Sequence, residues 1–191
     1  MGRVVLLLLA TFGAFVPISS FAWVKIECSR NLREDCGTEN AHACFDGLKQ
    51  RIFLRCVPGI DEKTSCGELP AMRPDFEFSI TRCQLLHECD HARSFESQFR
   101  ISACMDEYSA YILSLRCYRD AYHQFCPNRF NSKQCTGLEK QVIFAKHTLA
   151  FLRCVQKSDS PKSCLKACRS QFDSEECDRI YQAYSGCSKS T

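Results

Sequence analysis

The chain has 191 residues, 16 of them cysteine, and a formal net charge of only +3. With so small a charge and no block of Lys and Arg, the sequence offers no footprint for nucleic acid and reads as an evenly solvated surface. Cysteine in this number, and even, reads as a disulfide framework made in an oxidising compartment and not as a set of reactive thiols.

Residues 1–22 read as a signal peptide. Arg3 gives a positive start, Val4 to Val16 is an almost unbroken apolar run, and Ser20-Phe21-Ala22 supplies small residues for cleavage before Trp23. The run is about 13 residues, short of the ~20 that a spanning helix needs. No later stretch is apolar for that length, so the mature chain is expected to be exported, without membrane insertion. The remainder, 23–191, is expected to be one cysteine-rich domain. Its cysteines are Cys28, Cys36, Cys44, Cys56, Cys66, Cys83, Cys89, Cys104, Cys117, Cys126, Cys135, Cys154, Cys164, Cys168, Cys177 and Cys187. All are expected to be structural and paired, with a connectivity that spacing does not determine.

Three stretches along this domain look alike: Cys44 to Cys56, Cys104 to Cys117 and Leu138 to Cys154. Each ends in Leu-Arg-Cys and is followed about ten residues later by a further cysteine, Cys66, Cys126 or Cys164. Phe53-Leu-Arg-Cys-Val57 matches Phe151-Leu-Arg-Cys-Val155. Such self-similarity predicts a duplicated supersecondary unit, with units of about 23–66, 67–126 and 127–191. The apolar period is helical: Cys104, Tyr108, Tyr111 or Ile112, and Leu115; Leu138, Val142, Ala145, Leu149 and Leu152; Cys177, Ile180, Tyr184 and Cys187. Pro58-Gly59, Pro70 to Pro74, Pro127 to Ser132 and Ser158 to Pro161 mark the breaks. Asp159 or Ser160 before Pro161 predicts the start of a short helix carrying Cys164 and Cys168. The expected fold is therefore all-α, a series of disulfide-rich helical hairpins in three repeat-like units.

In the order Cys28, Cys36, Cys44 and Leu54-Arg-Cys56, the chain resembles the cysteine-rich helical repeats of the alpha receptors for glial-derived neurotrophic factor and of growth-arrest-specific proteins. The segment Cys104 to Cys126, with Tyr108, Ala110, Tyr111 and Ile112, resembles them too. The Cys-x-Cys pair of that family does not occur in this sequence, and a membrane anchor of its kind is not expected. The set Cys83-x5-Cys89, Phe99-x4-Cys104 and Cys117-Tyr118 resembles nematode secreted cysteine-rich domains of unassigned function. These resemblances imply export, a helical disulfide fold and, from the first, binding of an extracellular protein ligand or receptor without enzymatic activity or cofactor.

One motif points elsewhere. His87-Glu88-Cys89-Asp90-His91 reads as His-Glu-x-x-His. On a helix the two histidines share a face and suit zinc, with Glu88 placed as general base for a small secreted zinc metallohydrolase. Asp106, Glu107 or His123 would have to supply a third ligand. Against this stand Cys89, expected in a disulfide, and Asp90, a charge where such helices bury an apolar side chain. The same segment glances at secreted phospholipase A2 through Cys83-x3-His87-x-Cys89, but eight glycines include no calcium loop. From sequence, His87 to Arg93 reads as an exposed polar helix end with splayed histidines, and a non-enzymatic binder is preferred. The alternatives are the zinc hydrolase and a structural or defensive secreted protein.

Overall fold

A computed structural model describes residues 24–37, 42–96, 103–126, 132–158 and 160–187. The expected signal peptide, 1–22, lies outside these described residues. The N-terminal part is a small sheet with one helical turn: β1 (Lys25–Cys28), α1 (Leu32–Cys36), β2 (Ala43–Asp46) and β3 (Arg51–Leu54). The sheet order is β1-β3-β2, with β1 parallel and β2 antiparallel to β3. Five helices follow: α2 (Phe76–Glu96), α3 (Ala103–Phe125), α4 (Ser132–Lys157), α5 (Pro161–Arg169) and α6 (Ser174–Tyr184).

The sheet corrects the all-α expectation. The stretch Cys44 to Cys56 is a β-hairpin and not a helix. Its turn begins at Asp46, whose Oδ1 accepts the main-chain N–H groups of Leu48 and Lys49, and it ends at Gln50 with φ of 54°. An Asx turn of this kind competes with helix, and Asp-Gly between apolar runs is a hairpin signal. On β3, Ile52, Phe53 and Leu54 are all buried. β-Branched and aromatic side chains of this kind suit a pleated surface packed on both faces.

The helices begin where local chemistry starts them. The Asp75 carboxylate accepts from Phe78 N–H at 2.7 Å and opens α2. Ser160 caps α5 with Pro161 in its first turn, as expected, and Asp173 caps α6. Pairs between α2 and α3 run in reverse order: Cys83 with Cys117, His87 with Ser114, Asp90 with Ser109, His91 with Asp106. The two helices are therefore antiparallel along a fixed register. Three apolar clusters fill the interior. One joins the sheet to α2 through Ile26, Ile52, Leu54, Phe78 and Leu85. A second joins α2, α3 and α4 through Cys83, Ala121, Phe125 and Leu138. The third joins α3 to α6 through Phe151, Leu152, Val155 and Ile180.

All 16 cysteines pair, in eight bridges: Cys28–Cys56, Cys36–Cys44, Cys66–Cys89, Cys83–Cys117, Cys104–Cys187, Cys126–Cys135, Cys154–Cys164 and Cys168–Cys177. Such a density suits an oxidising, extracellular type of environment. The three Leu-Arg-Cys stretches do not behave as copies. Cys56 and Cys117 bridge backwards, Cys154 bridges forwards, and the first stretch is strand while the others are helix. Among the described residues no helix is long and apolar enough to cross a membrane.

Leu85 has no exposed surface and joins α2 to the sheet. Leu85→Ala is expected to destabilise the oxidised protein by about 2–5 kcal/mol, measured by denaturant unfolding. A peptide map of unreduced protein should recover Cys66–Cys89 and Cys104–Cys187 as cross-linked pairs.

Candidate metal centre

The antiparallel register sets two stripes face to face. On α2, residues 83, 87, 90 and 91 share one side, and on α3 residues 106, 109, 114 and 117 face them. Between two packed helices such a seam is usually apolar. Here it holds histidines, carboxylates and serines, each of which loses water on packing and needs a partner.

The partners determine where the imidazole protons sit. His91 Nδ1 lies 2.7 Å from Asp106 Oδ2, and a carboxylate only accepts, so Nδ1–H is the donor. His87 Nδ1 lies 2.9 Å from Ser114 Oγ, whose own proton goes to the Ala110 carbonyl at 3.0 Å. Ser114 therefore accepts, and His87 Nδ1 also carries its proton. Both Nε2 atoms are left with lone pairs, and they face one another at 3.1 Å. Two facing lone pairs at that distance repel unless a proton or a cation stands between them. Glu107 supplies negative charge at the same place, with Oε2 at 3.6 Å from His87 Nε2 and Oε1 at 3.6 Å from His91 Nε2. His87, His91 and Glu107 are all partly buried, and together they form a three-residue cluster of metal-ligand type.

The expectation that the histidines splay apart is thus overturned. The reading of His87 to Arg93 as an exposed polar end also fails: Glu88, Cys89 and Asp90 are buried, at 8, 2 and 6% exposure. Asp90 faces α3, accepts from Ser109 Oγ at 2.6 Å and pairs with Arg93 at 3.7 Å, so a hydrogen bond and an ion pair compensate its burial. Cys89 is bridged to Cys66, as expected, and the bridge anchors the helix on the side that meets the sheet. Of the suggested third ligands, Glu107 joins the histidines. Asp106 stands behind His91, with its second oxygen Oδ1 buried and without a partner. His123 is exposed on α3 and is not part of the cluster.

Glu88 points to the sheet. Its carboxyl accepts the main-chain N–H of Phe45 on the edge strand β2, and burial pushes its pKa up against the lowering influence of His87 and His91.

Two further residues at the cluster went unrecognised in the sequence as site residues. Tyr111 sets its ring edge-on to His87, with centroids 4.7 Å apart, and its hydroxyl lies 2.9 Å from that of Tyr184. The Tyr184 hydroxyl donates to Glu107 Oε2 at 3.4 Å. Both tyrosines occupy helical apolar positions, and nothing in their spacing distinguishes them from core.

No protein-family model matches the chain, and neither a curated protein nor a solved structure is detectably similar to it.

Without a metal, the cluster holds a proton instead. Burial pulls the His91 pKa down, but the Asp106 hydrogen bond and the charges of Glu107 and Glu88 outweigh it and push it up to about 9. A raised folded-state histidine pKa stabilises the fold below the unfolded value near 6.5, and that stability is lost as pH rises through about 9. In chelator-treated protein, an NMR titration of His91 should give a midpoint near 9, and Asp106→Asn should move it down.

Proposed function

We propose that this is a disulfide-clamped, exported protein that binds one zinc ion through His87, His91 and Glu107, in a centre of the kind used for metal-assisted hydrolysis. The observation that carries this is the pair of Nε2 lone pairs facing one another at 3.1 Å, with a Glu107 oxygen 3.6 Å from each. Zinc bonds of ~2.0–2.1 Å in tetrahedral geometry require ligand atoms about 3.3–3.4 Å apart. The two Nε2 atoms, 3.1 Å apart, are close to that value, and one or other Glu107 oxygen lies 3.6 Å from each. Both histidines also give their second nitrogen to an oxygen acceptor, Asp106 or Ser114, the arrangement that fixes tautomer and ring orientation at zinc sites.

Two histidines and one glutamate are three ligands, one fewer than a closed structural site holds. Held by these three residues, a zinc ion would supply the activation of a water nucleophile used in metal-assisted hydrolysis. The chain's own contribution would be Glu88, one residue from His87, which has a raised pKa and feels the charge of both histidines and of Glu107. If zinc were bound, Glu88 would be the chain's candidate to take a proton from a metal-activated water; its bond to Phe45 N–H holds it on the sheet side, so that role would require its carboxyl to turn toward the seam. The same ligand set serves ferrous iron where several positions stay open. Zinc is favoured because eight bridges suit an oxidising compartment, in which ferrous iron does not persist.

Of the alternatives drawn from the sequence, this is the zinc hydrolase, favoured here over the non-enzymatic binder because the histidines converge with Glu107. Purified protein is expected to take up one equivalent of zinc, measured by metal analysis after dialysis. His91→Ala and Glu107→Ala should each abolish that uptake while the helical circular dichroism persists. Glu88→Gln should keep the zinc and lose at least about 100-fold of any hydrolysis found with a mixed peptide and ester library, the scale of a lost general base. Failure of the wild type to retain zinc would overturn the proposal.

A further inference from the structure

We infer that Tyr184 is a positioning residue of this centre: its hydroxyl holds the Glu107 carboxylate in the orientation that ligates metal. The inference rests on the zinc reading above and adds a fourth residue from a different part of the chain. The three proposed ligands all come from α2 and α3, whereas Tyr184 lies at the end of α6, 77 residues beyond Glu107.

Glu107 differs from the two histidines in how it is held. Each imidazole is oriented from behind, His91 by Asp106 and His87 by Ser114. Glu107 has a flexible side chain, about a quarter exposed, and its hydrogen-bond donor is Tyr184, at 3.4 Å from Oε2. A carboxylate that turns freely about its last torsion does not present a defined lone pair. A phenol fixed in space removes that freedom, and groups of this outer kind typically govern metal affinity by about 10–100-fold.

The phenol is itself fixed twice over. Tyr111 OH lies 2.9 Å from Tyr184 OH, and the two rings meet edge-on with centroids 6.1 Å apart. With the Tyr184 proton directed to Glu107, the proton of Tyr111 is directed to Tyr184 oxygen, so the hydroxyls form one chain leading to the carboxylate. The bridge Cys104–Cys187 supplies the second constraint. Cys104 lies three residues before Glu107 and Cys187 three residues after Tyr184, and both sulfurs are buried in the same apolar cluster that packs Tyr108, Tyr111 and Tyr184. Of the eight bridges it spans the longest stretch of chain, 83 residues, and it brings the tip of α6 to the first turn of α3.

The test uses the full oxidised chain, with zinc affinity read by competition against a chromophoric chelator and ligand geometry by the visible spectrum of the cobalt(II) form. Tyr184→Phe keeps the ring and its packing. It is expected to retain the melting temperature of the metal-free protein, weaken zinc by about tenfold or more, and shift the cobalt bands. Tyr111→Phe, which leaves the Tyr184 hydroxyl but not its orientation, should weaken zinc by a smaller factor and serves if Tyr184→Phe does not fold. A Tyr184→Phe protein with wild-type affinity and an unchanged cobalt spectrum would overturn the inference, provided the wild type binds zinc and His91→Ala does not. Loss of zinc binding in the wild type itself would instead remove the reading on which it rests.

Discussion

The arrangement depends on the register between α2 and α3. Cys83–Cys117 ties the helices at one end of the seam, and the polar pairs follow from it turn by turn: His87 with Ser114, Asp90 with Ser109, His91 with Asp106. On a helix, residues three and four apart lie on one side, so a single anchored pair places every later one. Displacing α3 by one residue would carry Asp106 and Ser114 roughly 100° away from their histidines, from 3.6 residues per turn. The bridge is buried, with Cys83 wholly and Cys117 nearly so. It therefore acts within the packed core as a ruler for the seam, beyond any loop entropy it removes from the unfolded chain.

The same helix serves two neighbours. His87 and His91 face α3, while Glu88 and Cys89 face the sheet and the Cys66 strap. This explains how a cysteine fits inside a His-Glu-x-x-His string. From sequence, Cys89 counts against a metal site because a disulfide there constrains the helix. Successive residues of a helix turn by about 100°, so the constraint acts on the far side and leaves both imidazoles free for α3. Asp90 follows the same logic. A buried carboxylate is expensive without a partner, and the Ser109 hydroxyl at 2.6 Å and the Arg93 guanidinium at 3.7 Å are its partners.

How much was legible in the sequence varies with the range of the interaction. The short α5 was readable from Ser160, Pro161 and the spacing of Cys164 and Cys168, because caps and periodicity are local. The hairpin was readable too, from Asp46-Gly47 between Cys44-Phe45 and Ile52-Phe53-Leu54, but the Leu-Arg-Cys likeness drew that stretch toward the helical units. His87, Glu88 and His91 stood out as a string. Glu107 was one of three candidate partners, and choosing it requires the Cys83–Cys117 pairing, one of many that spacing alone allows. Tyr184 was illegible as a site residue. It sits in the apolar rhythm of Cys177, Ile180 and Cys187, and its hydroxyl gains meaning only once an 83-residue link brings α6 to α3.

The strap from Cys66 to Cys89 has a consequence for how the centre is loaded. In small metal-folded domains the ion is the keystone: ligands scattered in the unfolded chain gather only when it arrives, and removal of the ion undoes the fold. Here the motif helix is fastened on its reverse side to the loop at Cys66 by one covalent link, and α3 is fastened to it by another. With both helices fixed by these links, binding of an ion on the zinc reading would require no rearrangement of the backbone, and its free energy would go into affinity in place of folding. On that reading the socket could be emptied and refilled in the same folded molecule, and its occupancy would follow the free metal concentration of its surroundings.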